Sequence, residues 1–270
     1  MSRMPHPPDA RARAAGWPGP AEELEHWGEA GWSATLWWRD DDAAAASAAL
    51  DRLLAVAGDV PIALAVIPAL AERGLAVRLA SAAGSTGVLQ HGWRHADHAT
   101  LGRKSEFPPE RPQPAAAAEL FAGRSRLIGL FGASALAVLA PPWNRFDDSF
   151  LPLLAACGIG AISQAGPRRR QWPYPGVFAA NVHVDLVDWT GGRGFVGEDI
   201  ALDQLVGHLR GRRLGVFDWA EPTGIMSHHR IQDRATEKFL DRLLAFTLAH
   251  PAVRWLAAGE VFAAGIAGSA

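Results

Sequence analysis

Cysteine is almost missing from this chain. Cys157 stands alone, which excludes an intrachain disulfide and any cysteine-based zinc cluster. Long hydrophobic runs are missing too. The best candidate, residues 128–140, contains Gly and Ser and stops at Pro141-Pro142, well short of the ~20 apolar residues a membrane span needs. An excess of either charge is also lacking: 26 Lys and Arg face 28 Asp and Glu, for a net charge of −2, mixed along the chain. With no basic stripe, neither nucleic acid nor an anionic membrane is expected as a partner. Residues 1–16 carry basic side chains but no apolar core of a secretory signal, so a cytoplasmic location is the expectation by default.

What is present fits a soluble globular enzyme: 49% hydrophobic and 20% charged residues over 270 positions. That length suits one α/β barrel or two smaller domains. Residues 1–20, rich in Pro, Gly and Arg, read as a loose arm, and 21–270 as a single domain, since no linker or repeat divides them. Within it, strand patterns (33–39, 62–67, 88–90, 135–139, 159–163, 177–187, 223–227, 253–256) alternate with helical ones (21–28, 43–57, 69–83, 115–131, 147–157, 198–210, 233–250). The run 62–67 is apolar throughout, as in a strand buried on both faces. About seven or eight strands alternating with helices predict a parallel sheet closed, or nearly closed, into a barrel. Residues 92–114 have little periodicity and read as a long rim loop, and 167–175 as a polar excursion.

Polar residues collect at the predicted C-terminal ends of strands. Asp40-Asp41-Asp42, His91, Pro141-Pro142-Trp143, Asp185 to Trp189 and His228-His229 all fall there, and in a barrel those ends meet on the rim where such folds do their chemistry. His91 and His95, four residues apart in His91-Gly92-Trp93-Arg94-His95, can reach one metal ion. A catalytic zinc takes three protein ligands, and the acidic run 40–42 is the nearest source of a third. Of the 11 tryptophans, most are expected to pack in the core or at the rim. His183, His208 and Cys157 read as structural.

Taken in order, these blocks resemble the polysaccharide deacetylases, the NodB-homology metal-dependent carbohydrate esterases. Arg39-Asp40-Asp41-Asp42 matches that family's first motif, His91 to His95 the second, and Ala140-Pro141-Pro142-Trp143 the third with its arginine missing. Asp185-Leu186-Val187-Asp188-Trp189 matches the fourth, and Met226-Ser227-His228 the fifth. The resemblance covers roughly residues 33–229 and implies a distorted (β/α) barrel of seven or eight strands. It implies that Asp42, His91 and His95 hold a divalent metal, zinc first, and that Asp41 is the general base and His228 the acid that protonates a leaving amine. Two imidazoles and one carboxylate leave such an ion enough positive charge to lower the pKa of bound water toward ~7. Trp93, Pro142, Trp143, Asp188 and Trp189 would face the substrate, an N-acylated amino sugar, small or oligomeric, or a related amide. His229 is expected to be a supporting residue. Two points stay open: whether base and ligand are Asp41 and Asp42 or Asp40 and Asp41, with the spare acid free to cap the next helix, and whether Arg39 or Arg145 replaces the missing arginine. A binding protein on the same fold and a hydrolase of non-sugar C–N bonds are the competing readings.

Overall fold

The computed structural model describes residues 16–82 and 86–267. Its centre is β1 (Ala34–Ala43), ten residues buried along nearly their whole length. Around it stand β2 (Ile62–Val66), β3 (Thr86–Gln90), β4 (Ala135–Leu139), β5 (Ala161–Ile162), β6 (Phe178–Ala179), β7 (Val184–Asp185) and β8 (Thr223–Ser227). The order across the sheet is β6-β5-β4-β3-β2-β1-β8-β7, and every pairing is parallel. β9 (Val253–Trp255) pairs with the start of β1. Among the described residues β6 and β7 share no ladder, so the sheet curls into a distorted barrel left open on that side, the shape expected from the strand count.

Period-two alternation assigns the two faces. Leu36, Trp38, Leu64, Val66, Val88 and Ile225 face the surrounding helices. Trp37, Ala63, Ala65, Leu89, Val138 and Met226 fill the interior. Small alanines leave room there for Trp37, whose ring meets Phe262 edge-on at 5.3 Å. The helices are α1 (Pro18–Glu29), α2 (Ala48–Ala57), α3 (Arg73–Ala80), α4 (Gln113–Phe131), α5 (Leu151–Ala156), α6 (Glu198–Arg213), α7 (Arg234–Leu248), α8 (Ala258–Val261) and α9 (Ala263–Ala267). Caps fix where several begin: the Ser47 hydroxyl accepts from Leu50 N–H ahead of α2, and the Asp233 carboxylate from Thr236 N–H ahead of α7. None of these helices is long and apolar enough to cross a membrane.

Several expected boundaries move. The helix expected over 43–57 starts at Ala48, because β1 runs on through the aspartates to Ala43. The strand expected over 177–187 is two short ones. Between them Asn181 leaves the sheet, its N–H donating to Glu221 and its side-chain oxygen accepting from Gln164 N–H. Asp147 does cap its segment, but over a 3₁₀ turn (Asp148–Phe150) that precedes α5. Residues 1–15 of the expected arm lie outside the described residues, and the remainder is not loose. Pro18 opens α1, and Trp17 is buried against Phe239 and Phe246 of α7 while its indole donates to Glu198.

A buried polar network ties α6 to β8. His183 and His208 stack 3.3 Å apart, and Arg212 spans Thr35, Trp219 and Thr223. Burial first, then the charges of His183 and Arg212, push the His208 imidazole down to about 2. Its folded value lies below the unfolded one, so the stability it contributes is whole above pH 6.5 and is lost as the pH falls.

Two measurements test this packing. Trp17→Ala should cost about 3–5 kcal/mol in denaturant unfolding, whereas a loose arm predicts no change. Wild-type stability should drop by up to ~1.4 kcal/mol per pH unit below pH 6.5 through His208. His208→Gln should remove that slope, and identical pH profiles for the two proteins would contradict the assignment.

Candidate active site

Neighbouring strand residues point to opposite faces, so three consecutive aspartates cannot all serve one site in a regular strand. The irregularity is visible in the register. Asp40 pairs with Leu64 and Ala43 with Val66, so β1 carries one residue more than β2 across this step. Such a bulge re-aims side chains at a strand's end. Asp42 takes it up with φ of 70°, a left-handed conformation uncommon outside glycine. The three carboxylates therefore part: Asp40 outward, Asp41 into the barrel, and Asp42 to the rim.

Asp42 meets the two imidazoles. Its Oδ1 lies 3.2 Å from His91 Nε2 and 3.3 Å from His95 Nε2. His91 Nδ1 lies 2.8 Å from the Ala140 carbonyl. That oxygen can only accept, so Nδ1 carries the proton, and in the neutral ring the Nε2 lone pair is turned toward Asp42. Burial lowers this imidazole, but the Asp42 and Asp41 carboxylates raise it overall, a charge that a cation in their midst would replace. Burial opposes the Asp42 charge, yet the close His91 ring and, behind it, His228 and His95 hold its carboxyl well below the usual range. Burial and the His91 charge push His95 down, favouring its neutral, ligating form. Asp42 Oδ1 is buried without a hydrogen-bond partner. Two lone pairs and an orphaned carboxylate oxygen converging on one point fit a divalent cation.

The loop carrying His95 is held from below. Gly92 has φ of 60°, and a Cβ there would sit 1.7 Å from Glu106 Oε2. Glu106, fully buried, accepts from Trp93 N–H and Arg94 N–H. Burial pushes its carboxyl up, against those hydrogen bonds.

Asp41 faces a cation from its own strand. Arg39, two residues back and so on the same face, places Nε 2.8 Å from Asp41 Oδ1 and Nη2 2.9 Å from Oδ2. Arg39 is fully buried inside the barrel. Its remaining N–H groups donate to the Ser163 carbonyl and hydroxyl and to Asn144 Oδ1. Of the two arginines nominated to replace the missing one, it is therefore Arg39 that meets Asp41. Arg145 does not: its Nη1 donates to the Lys104 carbonyl.

Asp40 supports the opposite side and caps no helix. Its Oδ2 accepts from Ser227 Oγ (2.6 Å) and His229 N–H (2.9 Å), and its Oδ1 lies 2.5 Å from His229 Nδ1. These contacts anchor the turn that carries His228. His228 is buried, with Nδ1 unpartnered, and its ring meets Trp189 edge-on at 4.9 Å. Its charge reaches both Asp42 and Asp185. Asp185 accepts from Trp189 Nε1, and burial raises its carboxyl.

The remaining nominees divide. Trp143 packs against His95 at 4.2 Å between ring centres, with Pro142 buried just before it. Trp143 and the next residue, Asn144, both have positive φ, local strain of the kind that clusters at functional sites. Trp93 is half-buried on the His loop. Asp188, expected to face substrate, instead closes its own turn, its Oδ1 accepting from Thr190 and Gly191 N–H. Three residues at the site were not foreseen. Ser163 ends the strand expected over 159–163, so the strand-end rule would have found it. Asn144 directly follows the third block. Glu106 sits in an aperiodic loop and gives no signal. A second cluster, His183, His208 and Glu221, is a poor cation site: the rings stack at 14°, and His183 Nδ1 accepts from Gly224 N–H, leaving Nε2 protonated. Glu221 is already bonded to Arg168 and Asn181 amides.

No family model matches the chain, nor does any curated protein. Solved structures do. A protein described as a candidate polysaccharide deacetylase from Mycobacterium smegmatis aligns over 87% of this chain and 91% of its own, with TM-score 0.59 and 15% identity. The Bc1960 peptidoglycan N-acetylglucosamine deacetylase aligns over 88% and 95%, with TM-score 0.55 and 14% identity. BA3943, a family 4 carbohydrate esterase pseudoenzyme from Bacillus anthracis, aligns over 83% and 64%, with TM-score 0.52 and 15% identity. The chain has the fold of the NodB-homology polysaccharide deacetylases.

The Glu106 support is testable by metal titration against a chelator. Glu106→Ala should weaken divalent metal binding about 10–100-fold, the usual effect of losing an outer hydrogen-bonding partner. Glu106→Gln, which keeps an accepting oxygen, should recover most of it. Unchanged affinity in the alanine variant would contradict the role.

Proposed function

We propose that this chain is a metal-dependent hydrolase that removes an acyl group, acetyl foremost, from an N-acylated amino sugar or related amide. The observation that carries the reading is the pairing of two distinct carboxylates at one rim. Asp42 faces two imidazoles, and Asp41 is clamped by Arg39 beside it. Asp42, His91 and His95 would hold the ion, zinc by the nitrogen-rich donor set, and it supplies Lewis acidity toward an amide carbonyl and toward water.

The chain's own residues do the rest. Asp41, fixed at two points by Arg39, takes the proton of the attacking water at a carboxylate oxygen. The new bond joins that water oxygen to the acyl carbon, and the bond that breaks is carbon to nitrogen. An amide nitrogen leaves poorly as an anion, so it must be protonated as the bond breaks. His228 is the donor in this reading, held by the turn that Asp40 anchors through His229 and Ser227. Trp143 and Trp189, flanking His95 and His228, offer apolar faces to a sugar ring.

The test joins metal analysis to a deacetylation assay on short N-acetylglucosamine oligomers and small N-acetyl amides. Asp41→Asn and His228→Gln should each lower kcat by about 10²–10⁴-fold, the usual contribution of a general base or acid, with metal content unchanged. Metal bound but no product from any amide would instead favour a binding protein, a reading encouraged by the likeness to a pseudoenzyme. Turnover of the small amides alone would make it a hydrolase of non-sugar C–N bonds.

A further inference from the structure

The end of the barrel away from the rim carries a separate hollow. It measures about 350 Å³ and is lined by Trp27, Trp32, Arg212, Arg213, Gly215 and Trp219. Trp32 precedes β1 and Trp219 precedes β8, whereas Asp42 and His228 lie at the far ends of those two strands. At about 3.3 Å per strand residue, the run from Ala34 to Asp42 puts roughly 25 Å between hollow and rim.

Trp27 is the buried floor, while Trp32 and Trp219 are 53% and 73% exposed. Tryptophan is large and on average well buried, so two exposed indoles at one hollow call for an explanation. Neither stands on a slack loop. Trp32 N–H donates to the Trp27 carbonyl at 3.0 Å, and the two rings meet edge-on at 6.2 Å. The Trp219 carbonyl accepts from Arg212 Nε at 3.2 Å and from Nη2 at 3.1 Å. The backbone under both indoles is thus fixed ahead of any ligand, which lowers the cost of ordering them around one.

The charged groups narrow the ligand. The Arg212 guanidinium already covers the Trp27 ring, 4.8 Å from its centre, and would repel a cation. Its three nitrogens are engaged by Thr35, Thr223 and the Trp219 carbonyl. Arg213 clasps Glu23 through Nε and Nη2. Neither guanidinium therefore offers a free two-pronged fork to a carboxylate, a phosphate or a nucleic-acid backbone. What fits is a neutral ligand with an apolar face for the indoles and polar groups at its edge. The Trp27 indole N–H, buried with no acceptor among the described residues, leaves one donor unspent at the floor. A pyranose ring has the required form, with C–H groups on its faces and hydroxyls around its edge.

We propose that this hollow is a second sugar site, where Trp32 and Trp219 stack on a neutral pyranose unit of an oligomeric glycan and hold it without turning it over. The choice of a sugar rests on the hydrolase reading of the Asp41–Asp42 rim.

Calorimetric titration with the N-acetylglucosamine hexamer tests it, in the zinc-loaded protein and in the His91→Ala/His95→Ala double variant, whose rim is disabled. The double variant should still bind the hexamer. Adding Trp219→Ala or Trp32→Ala to it should weaken that binding at least ~5-fold, the scale of a lost aromatic contact, and Trp219→Phe should recover most of it. In the zinc-loaded protein neither tryptophan variant should change the rate on the disaccharide by more than about twofold, since neither residue touches the reacting atoms. No hexamer bound by the double variant, binding unchanged by both tryptophan variants, or rate lost in step with binding would each overturn the proposal. So would a dimer in sedimentation that Trp219→Ala dissolves, because a second copy would then cover the hollow. Hexamer binding that depends on Trp219 in a protein that hydrolyses nothing upholds the site while the hydrolase reading falls.

Discussion

A guanidinium sealed inside a barrel is tolerable only when its charge is met at once. Removing one partner from a buried ion pair typically costs about 3–5 kcal/mol. Arg39 meets that demand through Asp41, Ser163 and Asn144, and much of the rim follows from it. Ser163 must end its strand beneath the guanidinium, and the turn after Pro142 must deliver the Asn144 oxygen, which it does with two consecutive residues at positive φ. Asp41 is held through both carboxylate oxygens from the side of its own strand. The pair is local in sequence, two residues apart on one face, so Asp41 is oriented without an arginine from the third block.

The barrel interior is divided along its axis. Its lower part is packed with Trp37, Phe262 and small alanines. Its upper part changes over one strand step to Arg39 and Asp41, and then to the bulge that turns Asp42 toward His91 and His95. On the far side the Asp40–His229 contact anchors the turn bearing His228. One run of three acids thus makes three different contacts: Asp40 anchors a neighbouring turn, Asp41 meets Arg39, and Asp42 faces the imidazoles. The bulge between Asp40 and Ala43 is what makes this division possible.

The sequence carried the barrel legibly, because apolar runs such as 62–67 and the recurring strand-helix alternation leave few other architectures. It also carried the neighbourhood of the site, since polar residues at strand ends converge by topology alone. Register within Asp40–Asp42 was not legible, because a bulge and a positive φ at Asp42 depend on how β1 pairs with β2. The choice between Arg39 and Arg145 was likewise hidden: both lie near the acids in sequence, and only the strand's alternation puts Arg39 on the face of Asp41. Asp188 misled because a motif position says nothing of where a side chain turns, and here the local turn takes it. Glu106 could not be found at all, since its contact with Gly92 and Trp93 crosses an aperiodic loop.

The account depends most on a cation gripped by one carboxylate and two imidazoles. X-ray absorption at the zinc edge of the purified, metal-loaded protein reads that shell directly. The account predicts two imidazole nitrogens near ~2.0–2.1 Å with oxygen neighbours completing the set, and loss of the imidazole scattering when His91 and His95 are both replaced by alanine. A bound ion with no imidazole scattering, or the same spectrum in the double variant, would contradict it.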